Sequence, residues 1–277
     1  MSSPFLVSQG DIARYRQSIG HKDTKSTLEF LHLPLLLAAT TEPAMLLLLV
    51  NRSCPINPLG AVNVRNRFEL LRPDLCDLSS LEIPDRAALL AEVQGEPRNV
   101  KRGVEYDLEV SIMIPDDAGT GKAVVVFRQI FTMLEMRKTK ELEGEARPSE
   151  VKVVGAESSA VGLSTSLSFS GSDPLTWAAL CKDYNFIHIS NLAAKLFGLP
   201  GKLAHGNHVV AKAVQSSLED GASKSLAPTP MWMETHFRRP VTVPTKMDVE
   251  AAQSTTTSTL TISRNGRACV TVEYGAL

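Results

Sequence analysis

An order of sequence patterns occurs twice along this chain, and the repetition restricts the possible folds more than any single motif does. In the first occurrence an apolar helix ending near Val50 is followed by the stretch 63–73 and then by two long alternating runs, 105–115 and 123–134. In the second, a helix ending near Leu218 is followed by 231–240 and by runs at 247–252, 257–263 and 267–274. Alternation of this kind marks strands with one buried face. Between the last two runs stands Asn265-Gly266, a pair that tolerates positive φ at both central positions of a type I′ turn and so predicts a hairpin. The matching turn in the first half, 116–121, is longer but equally rich in Asp and Gly. Each occurrence is expected to be one long helix against an antiparallel sheet, an α+β unit made twice.

Between the two units, residues 136–152 are dense in charge and lose the apolar period, as a linker does, the alternative being a long solvated loop or exposed helix inside one domain. The expected division is residues 1–145 and 146–277. A chain of 277 residues supplies two units of ordinary domain size. The most apolar window, 31–50, is interrupted by His32, Pro34, Thr40, Thr41, Glu42 and Pro43, whereas a membrane span needs about 20 nearly uninterrupted apolar residues. A buried helix beginning near Thr41, with Thr41 as its cap and Pro43 in its first turn, is expected instead.

Composition excludes several classes of function. The 29 Lys and Arg are balanced by 30 Asp and Glu, so no whole-molecule field attracts nucleic acid or an anionic membrane. Cys54, Cys76, Cys181 and Cys269 lie far apart without a C-x-x-C pair, which predicts free thiols in a reducing compartment and no zinc knuckle. The start of the chain shows no secretory signal. An intracellular, cytoplasmic location is expected. The C-terminal Gly275-Ala-Leu277 is not a peroxisomal Ser-Lys-Leu signal, although peroxisome and mitochondrion stay open.

One stretch carries the chemistry. Asp173 as cap and Pro174 predict a short helix running out near Lys182, and residues 183–188 form a tight connection. Ser190 caps a second short helix over 191–197, which Gly198 ends. A longer helix opens at His205-Gly206 and buries Val209, Val210, Ala213, Val214 and Leu218. The order Asp183-x-Asn185-x-x-His188, a short helix with small residues, Gly198-Leu-Pro200 and then Ala204-His205-Gly206 resembles the MaoC-like or R-specific enoyl-CoA hydratase family. The resemblance covers about residues 170–275. It implies a hot-dog fold, a central helix wrapped by an antiparallel sheet. The first half resembles the degenerate N-terminal hot dog of double members, which lacks the motif, as this half does. The chain departs from the family pattern at Lys182 (usually Gly), Phe186 (usually Pro) and Asn207 (usually Met). The first two are expected to alter the backbone of the turn.

The resemblance implies hydration of a 2-enoyl thioester to an (R)-3-hydroxyacyl product, or the reverse. That reaction needs water activated at C3, a proton delivered to C2 and a donor for the thioester oxygen as negative charge collects there. A carboxylate and an imidazole, with ordinary pKa values near 4 and 6.5, can manage both proton transfers through one water. Asp183 and His188 are the expected pair, with Asn185 orienting them. Gly206, at a helix N-terminus that supplies unpaired N–H groups and partial positive charge, is the expected oxyanion donor, its lack of a Cβ leaving room for the thioester.

No cofactor is expected, coenzyme A being part of the substrate. His205, Arg238, Arg239 and Lys246 are the candidates for binding substrate, the three basic residues through coenzyme A phosphates. A solvated sheet face is the alternative for those three, and a packed or capping role for His205. Arg65, Arg67 and Arg72 are read as structural or as part of a homodimer surface. The i, i+3 pair His205 and His208 is weak as a metal site, so no metal is expected. The first half is expected to shape the acyl tunnel, and a central helix shortened to 41–51 implies room for longer chains. Competing readings are a silent acyl-thioester binding or scaffold protein and a hot-dog thioesterase.

Overall fold

The computed structural model describes residues 2–21, 28–76, 78–116, 122–136, 163–221 and 228–277. The expected linker beyond residue 136 and the boundary at 145/146 lie outside the described residues, as do positions 117–121 of the first-half turn. The first half runs β1 (Ser2–Phe5), α1 (Gln9–Ile19), α2 (His32–Leu49), β2 (Ala61–Leu70), α3 (Leu78–Leu81), β3 (Ala87–Val100), β4 (Gly103–Pro115) and β5 (Ala123–Met136). The second runs β6 (Leu163–Phe169), α4 (Asp173–Cys181), α5 (Phe186–Ile189), α6 (Asn191–Leu196), α7 (Gly206–Glu219), β7 (Met231–Phe237), β8 (Thr245–Gln253), β9 (Thr257–Arg264) and β10 (Arg267–Ala276).

Among the described residues ten strands form one antiparallel sheet in the order β1-β3-β4-β5-β2-β7-β10-β9-β8-β6. Read outward from its centre, each half has the same order, so the repeated sequence pattern is a repeated topology. The halves join where β2 pairs with β7, from Arg65 opposite His236 to Leu70 opposite Met231. Alternation decides the faces: Asn66, Phe68 and Leu70 of β2 and Met231, Met233 and Thr235 of β7 are buried toward the helices, while Arg65, Arg67, Glu234 and His236 occupy the alternate positions. Two central helices, α2 and α7, pack against each other and against the sheet. This is the expected double hot-dog arrangement. Asn265 (φ 51°) and Gly266 (φ 69°) both take the left-handed conformation that the β9–β10 hairpin requires.

The first-half helix differs from expectation. It begins at His32 rather than Thr41, runs for 18 residues and keeps Pro43 inside, so it is longer than the 14-residue α7. A proline within a helix costs about 3 kcal/mol through its missing N–H and its clash with the preceding turn. Leu35, Leu36 and Leu37 are fully buried, at about 1.5–3 kcal/mol each, which outweighs that cost. Thr41 is mid-helix and buried, its hydroxyl donating to Gln129 Oε1 at 3.2 Å. The helix is long and apolar enough to cross a membrane by length and composition, yet 72% of it is buried inside the molecule, as a core helix is. The premise of a shortened helix, and with it the expectation of room for longer acyl chains, does not hold.

Polar contacts fasten the two halves. Asn66 Nδ2 on β2 donates to Asn207 Oδ1 at 2.8 Å, so the departure at position 207 has a buried partner in the other half. His208 Nε2 lies 2.8 Å from the Ser18 carbonyl, and its ring stacks on Trp177 at 4.7 Å. None of the four cysteines is in a disulfide, and three are buried.

Candidate active site

The turn that carries Asp183 and His188 is built by successive caps. Ser172, not Asp173, occupies the N-cap position of α4; Asp173 is the first helical residue and pairs with Lys212 Nζ at 2.8 Å. Lys182 ends α4 in the left-handed conformation, φ 60°. The family's usual glycine suits that geometry. Lysine adopts this left-handed backbone at about 1–2 kcal/mol of strain. Asp183 follows, and its Oδ1 accepts the Asn185 N–H at 3.0 Å. Asn185 Oδ1 in turn accepts the Ile187 N–H at 3.3 Å and caps α5. Phe186 opens α5 where proline is usual, so the first helical position is kept. Ser190 caps α6, as expected.

These turns bring Asp183 and His188 together. His188 Nε2 lies 3.8 Å from Asp183 Oδ2, too far for a direct hydrogen bond and suited to one bridging water. On its other side His188 Nδ1 lies 2.9 Å from the Leu203 carbonyl oxygen. A carbonyl only accepts, so Nδ1 carries the proton and the Nε2 lone pair faces Asp183. Burial lowers the His188 pKa below its ordinary value of 6.5, against the raising effects of the Leu203 carbonyl and the Asp183 charge. The imidazole is therefore a neutral base at pH 7.

His205 is a third member of the cluster. It is 4% exposed, occupies the N-cap position of α7 without making a side-chain cap, and stacks on His188 with ring centroids 3.8 Å apart. Its Nε2 lies 3.1 Å from the Asp183 carbonyl oxygen and 3.7 Å from Asp183 Oδ2, so it braces the aspartate. Burial first, and then neighbouring His188, hold His205 well below the ordinary imidazole pKa. By distance, Asp183, His188 and His205 could surround a metal ion. The hydrogen bond to a carbonyl nonetheless makes Nε2 of His205 a donor, without a free lone pair. His208 is turned away into the core.

Gly206 opens α7 beside this cluster, and the first N–H groups of a helix lack intrahelical partners. The reason for glycine differs from the one expected. A Cβ there would lie 2.4, 2.7 and 2.8 Å from Phe237 ring atoms, so glycine lets the helix end settle on that ring. Of the expected basic residues, Arg238 lines a cavity. That cavity, about 440 Å³, is lined by Val64, Arg65, Arg98, Arg102, Glu105, Thr132, His236, Phe237 and Arg238. Arg239 Nη1 donates to the Ala268 carbonyl on β10. Lys246 is on β8, beside the edge strand β6. Arg65 was read as structural or as dimer surface, yet it joins the cavity; Arg67 pairs with Glu69 and Glu234, and Arg72 with Asp74.

The fold and this cluster define a double hot-dog protein with an acid and imidazole pair at the mouth of its second central helix. Residues 155–273 match the family described as MaoC like domain, so the MaoC-like resemblance of the motif stands. The chain is 26% identical over 215 residues to 3-hydroxyacyl-thioester dehydratase X of Mycobacterium tuberculosis, covering 78% of this chain and 68% of that protein. Two solved structures share the fold across the whole chain. One is HtdX of Mycobacterium tuberculosis, with TM-score 0.71 and 20% identity, matched over 99% of its chain. The other is a MaoC-like dehydratase from Phytophthora capsici, with TM-score 0.70 and 17% identity, matched over 95%.

Proposed function

We propose that this protein is a hydro-lyase that adds water reversibly across the double bond of a trans-2-enoyl-CoA to give the (R)-3-hydroxyacyl-CoA. The supporting observation is the 3.8 Å gap between Asp183 Oδ2 and His188 Nε2, with the imidazole lone pair facing into it. In this reading a water in that gap donates one hydrogen bond to Asp183 and loses its other proton to His188 Nε2 as its oxygen bonds to C3. The imidazolium, stabilised by Asp183, then gives that proton to C2. Water has been added and the pair returns to its starting state. The first N–H groups of α7, Gly206 among them, face the charge on the thioester oxygen. Such a donor contributes on the order of a hundredfold or more in rate.

Coenzyme A is the proposed carrier because the cavity beside Phe237 gathers four arginines against one glutamate. Among the described residues neither Arg102 nor Arg238 has a carboxylate partner. The cavity runs from β7 across β2, β5 and β4 to β3, four strand spacings or roughly 19 Å, which suits an extended carrier with phosphates at its far end. Its Phe237 end abuts Gly206. The test compares crotonyl-CoA with crotonyl-N-acetylcysteamine, which lacks the nucleotide. Arg102→Glu with Arg238→Glu should raise KM for the first about tenfold or more and leave turnover of the second unchanged. An unchanged KM for crotonyl-CoA excludes the cavity as the carrier site. No cofactor beyond the substrate's own coenzyme A belongs to the proposal, and a homodimer is the proposed assembly.

A further inference from the structure

Three side-chain amides stand in a row where the halves meet, and the proposed chemistry uses none of them. Asn66 is fully buried on the inner face of β2, opposite Thr235 of β7. The register of β2 against β5 shifts between Asn63 and Arg65, and the extra residue of such a bulge turns the strand over. Asn63 therefore shares the inner face with Asn66 although it lies three positions away, and its Nδ2 donates to Asn66 Oδ1 at 2.8 Å. Asn66 Nδ2 donates in turn to Asn207 Oδ1 at 2.8 Å. Asn207 is 5% exposed and follows Gly206 in the first turn of α7. A row of amides thus runs from the first-half strand at the junction to the helix end that the proposed chemistry sets against the thioester oxygen. Two apolar side chains of the same shape would hold the halves together about as well, because a hydrogen bond made on folding replaces hydrogen bonds to water. What they would not supply is direction, since a hydrogen bond fixes both a distance and an angle.

We infer that Asn66, backed by Asn63, is a positioning residue supplied by the half without the motif: it holds Asn207 and so sets the first turn of α7, where the N–H donors for the thioester oxygen stand. This rests on the proposed role of those N–H groups. The turn is then fixed on two sides. The Phe237 ring against Gly206 sets how closely the helix approaches the end of β7, and the Asn66 amide ties the next residue to β2. Because β2 and β7 are paired from Arg65 to Leu70, both anchors belong to one continuous piece of sheet, and the donors cannot shift without disturbing one of them. A donor aimed at the place where charge develops lowers the barrier more than it tightens substrate binding. Loosening the turn therefore shows in kcat before it shows in KM.

The experiment uses the full-length protein with Asn66→Leu, Asn207→Leu and Asn66→Leu/Asn207→Leu. Each single variant leaves a buried amide without its partner, so its thermal midpoint should fall by several degrees; the double variant joins two apolar side chains and should recover most of that loss. Activity should not recover with it. In all three, kcat for crotonyl-CoA should fall about tenfold while KM moves by less than about twofold, and the double variant should be no worse than either single one, as expected for a shared contact. Infrared difference spectra of bound butyryl-CoA, with and without an isotopic label at the thioester carbon, read the donors directly, because a hydrogen bond lowers the carbonyl stretching frequency. The wild-type band should lie below its position in water, and in the double variant it should move back toward that position. Wild-type kcat in the double variant, or a band unchanged from wild type, overturns the inference, the amides then serving only to hold the fold together. Additive losses of kcat overturn it too. A wild-type band at its position in water would instead remove the donors on which the inference rests.

Discussion

Alanine at position 206 is the smallest change that separates the helix end from the sheet. The added Cβ would sit 2.4 Å from the nearest Phe237 ring atom, with two more at 2.7 and 2.8 Å. Carbon atoms settle at about 3.5 Å or beyond, so the ring and the start of α7 must part by roughly 1 Å. Phe237 ends β7 and packs against the core, and Gly206 begins the helix whose face is buried in it. Overpacking on this scale costs about 1–3 kcal/mol of stability. A displacement of about 1 Å in a group that must meet a transition state costs about a hundredfold in rate. Gly206→Ala should therefore lower kcat for crotonyl-CoA hydration about a hundredfold, read as the loss of enoyl-thioester absorbance, while the thermal midpoint falls by only a few degrees. Gly206→Ala/Phe237→Leu should recover at least tenfold, because the smaller side chain gives the Cβ its space. Wild-type kcat in the single variant, or no recovery in the double, would refute this account of the glycine.

Two further outcomes follow from particular residues. Lys182→Gly should raise stability by about 0.5–1 kcal/mol in urea unfolding at unchanged kcat, since glycine occupies φ 60° without strain. Stability should also fall between pH 6.5 and pH 4. Burial lowers the pKa of both His32 and His208 from 6.5 to about 4, so in that window the unfolded chain binds protons that the folded one refuses, and the native state loses a few kcal/mol as acid is added. The urea midpoint at pH 5 against pH 7 measures this.

Local features were legible in the sequence, and features assembled across the sheet were not. The Asn265-Gly266 hairpin and the order from Asp183 to Gly206 are each contiguous, so residue type located the first and resemblance to a family's motif located the second. Strand β3 was missed. Its Ala87-Ala-Leu-Leu-Ala91 start favours helix as much as strand, and its continuation holds Gly95 and Pro97, which the structure accommodates at a register shift between Gln94 and Arg98. The repeat itself offered a signal, because the β8 run at 247–252 calls for a counterpart in the first half. The short strands β1 and β6 lie at the sheet edges and carry little pattern. The extent of α2 was hidden because proline and threonine usually end helices, and only burial of the leucines before them reverses that preference. Arg65, Arg98, Arg102 and Arg238 come from distant stretches of chain, and the pairing of β2 with β7 brings them together.

The central claim is that Asp183 and His188 share the reacting water. Its most direct test is the rate at which purified Asp183→Asn and His188→Gln hydrate crotonyl-CoA, each checked for an unchanged thermal midpoint. The account predicts that both lose at least about a thousandfold in kcat with the fold intact, as removal of a general acid–base partner does. Near wild-type turnover by either well-folded variant contradicts it.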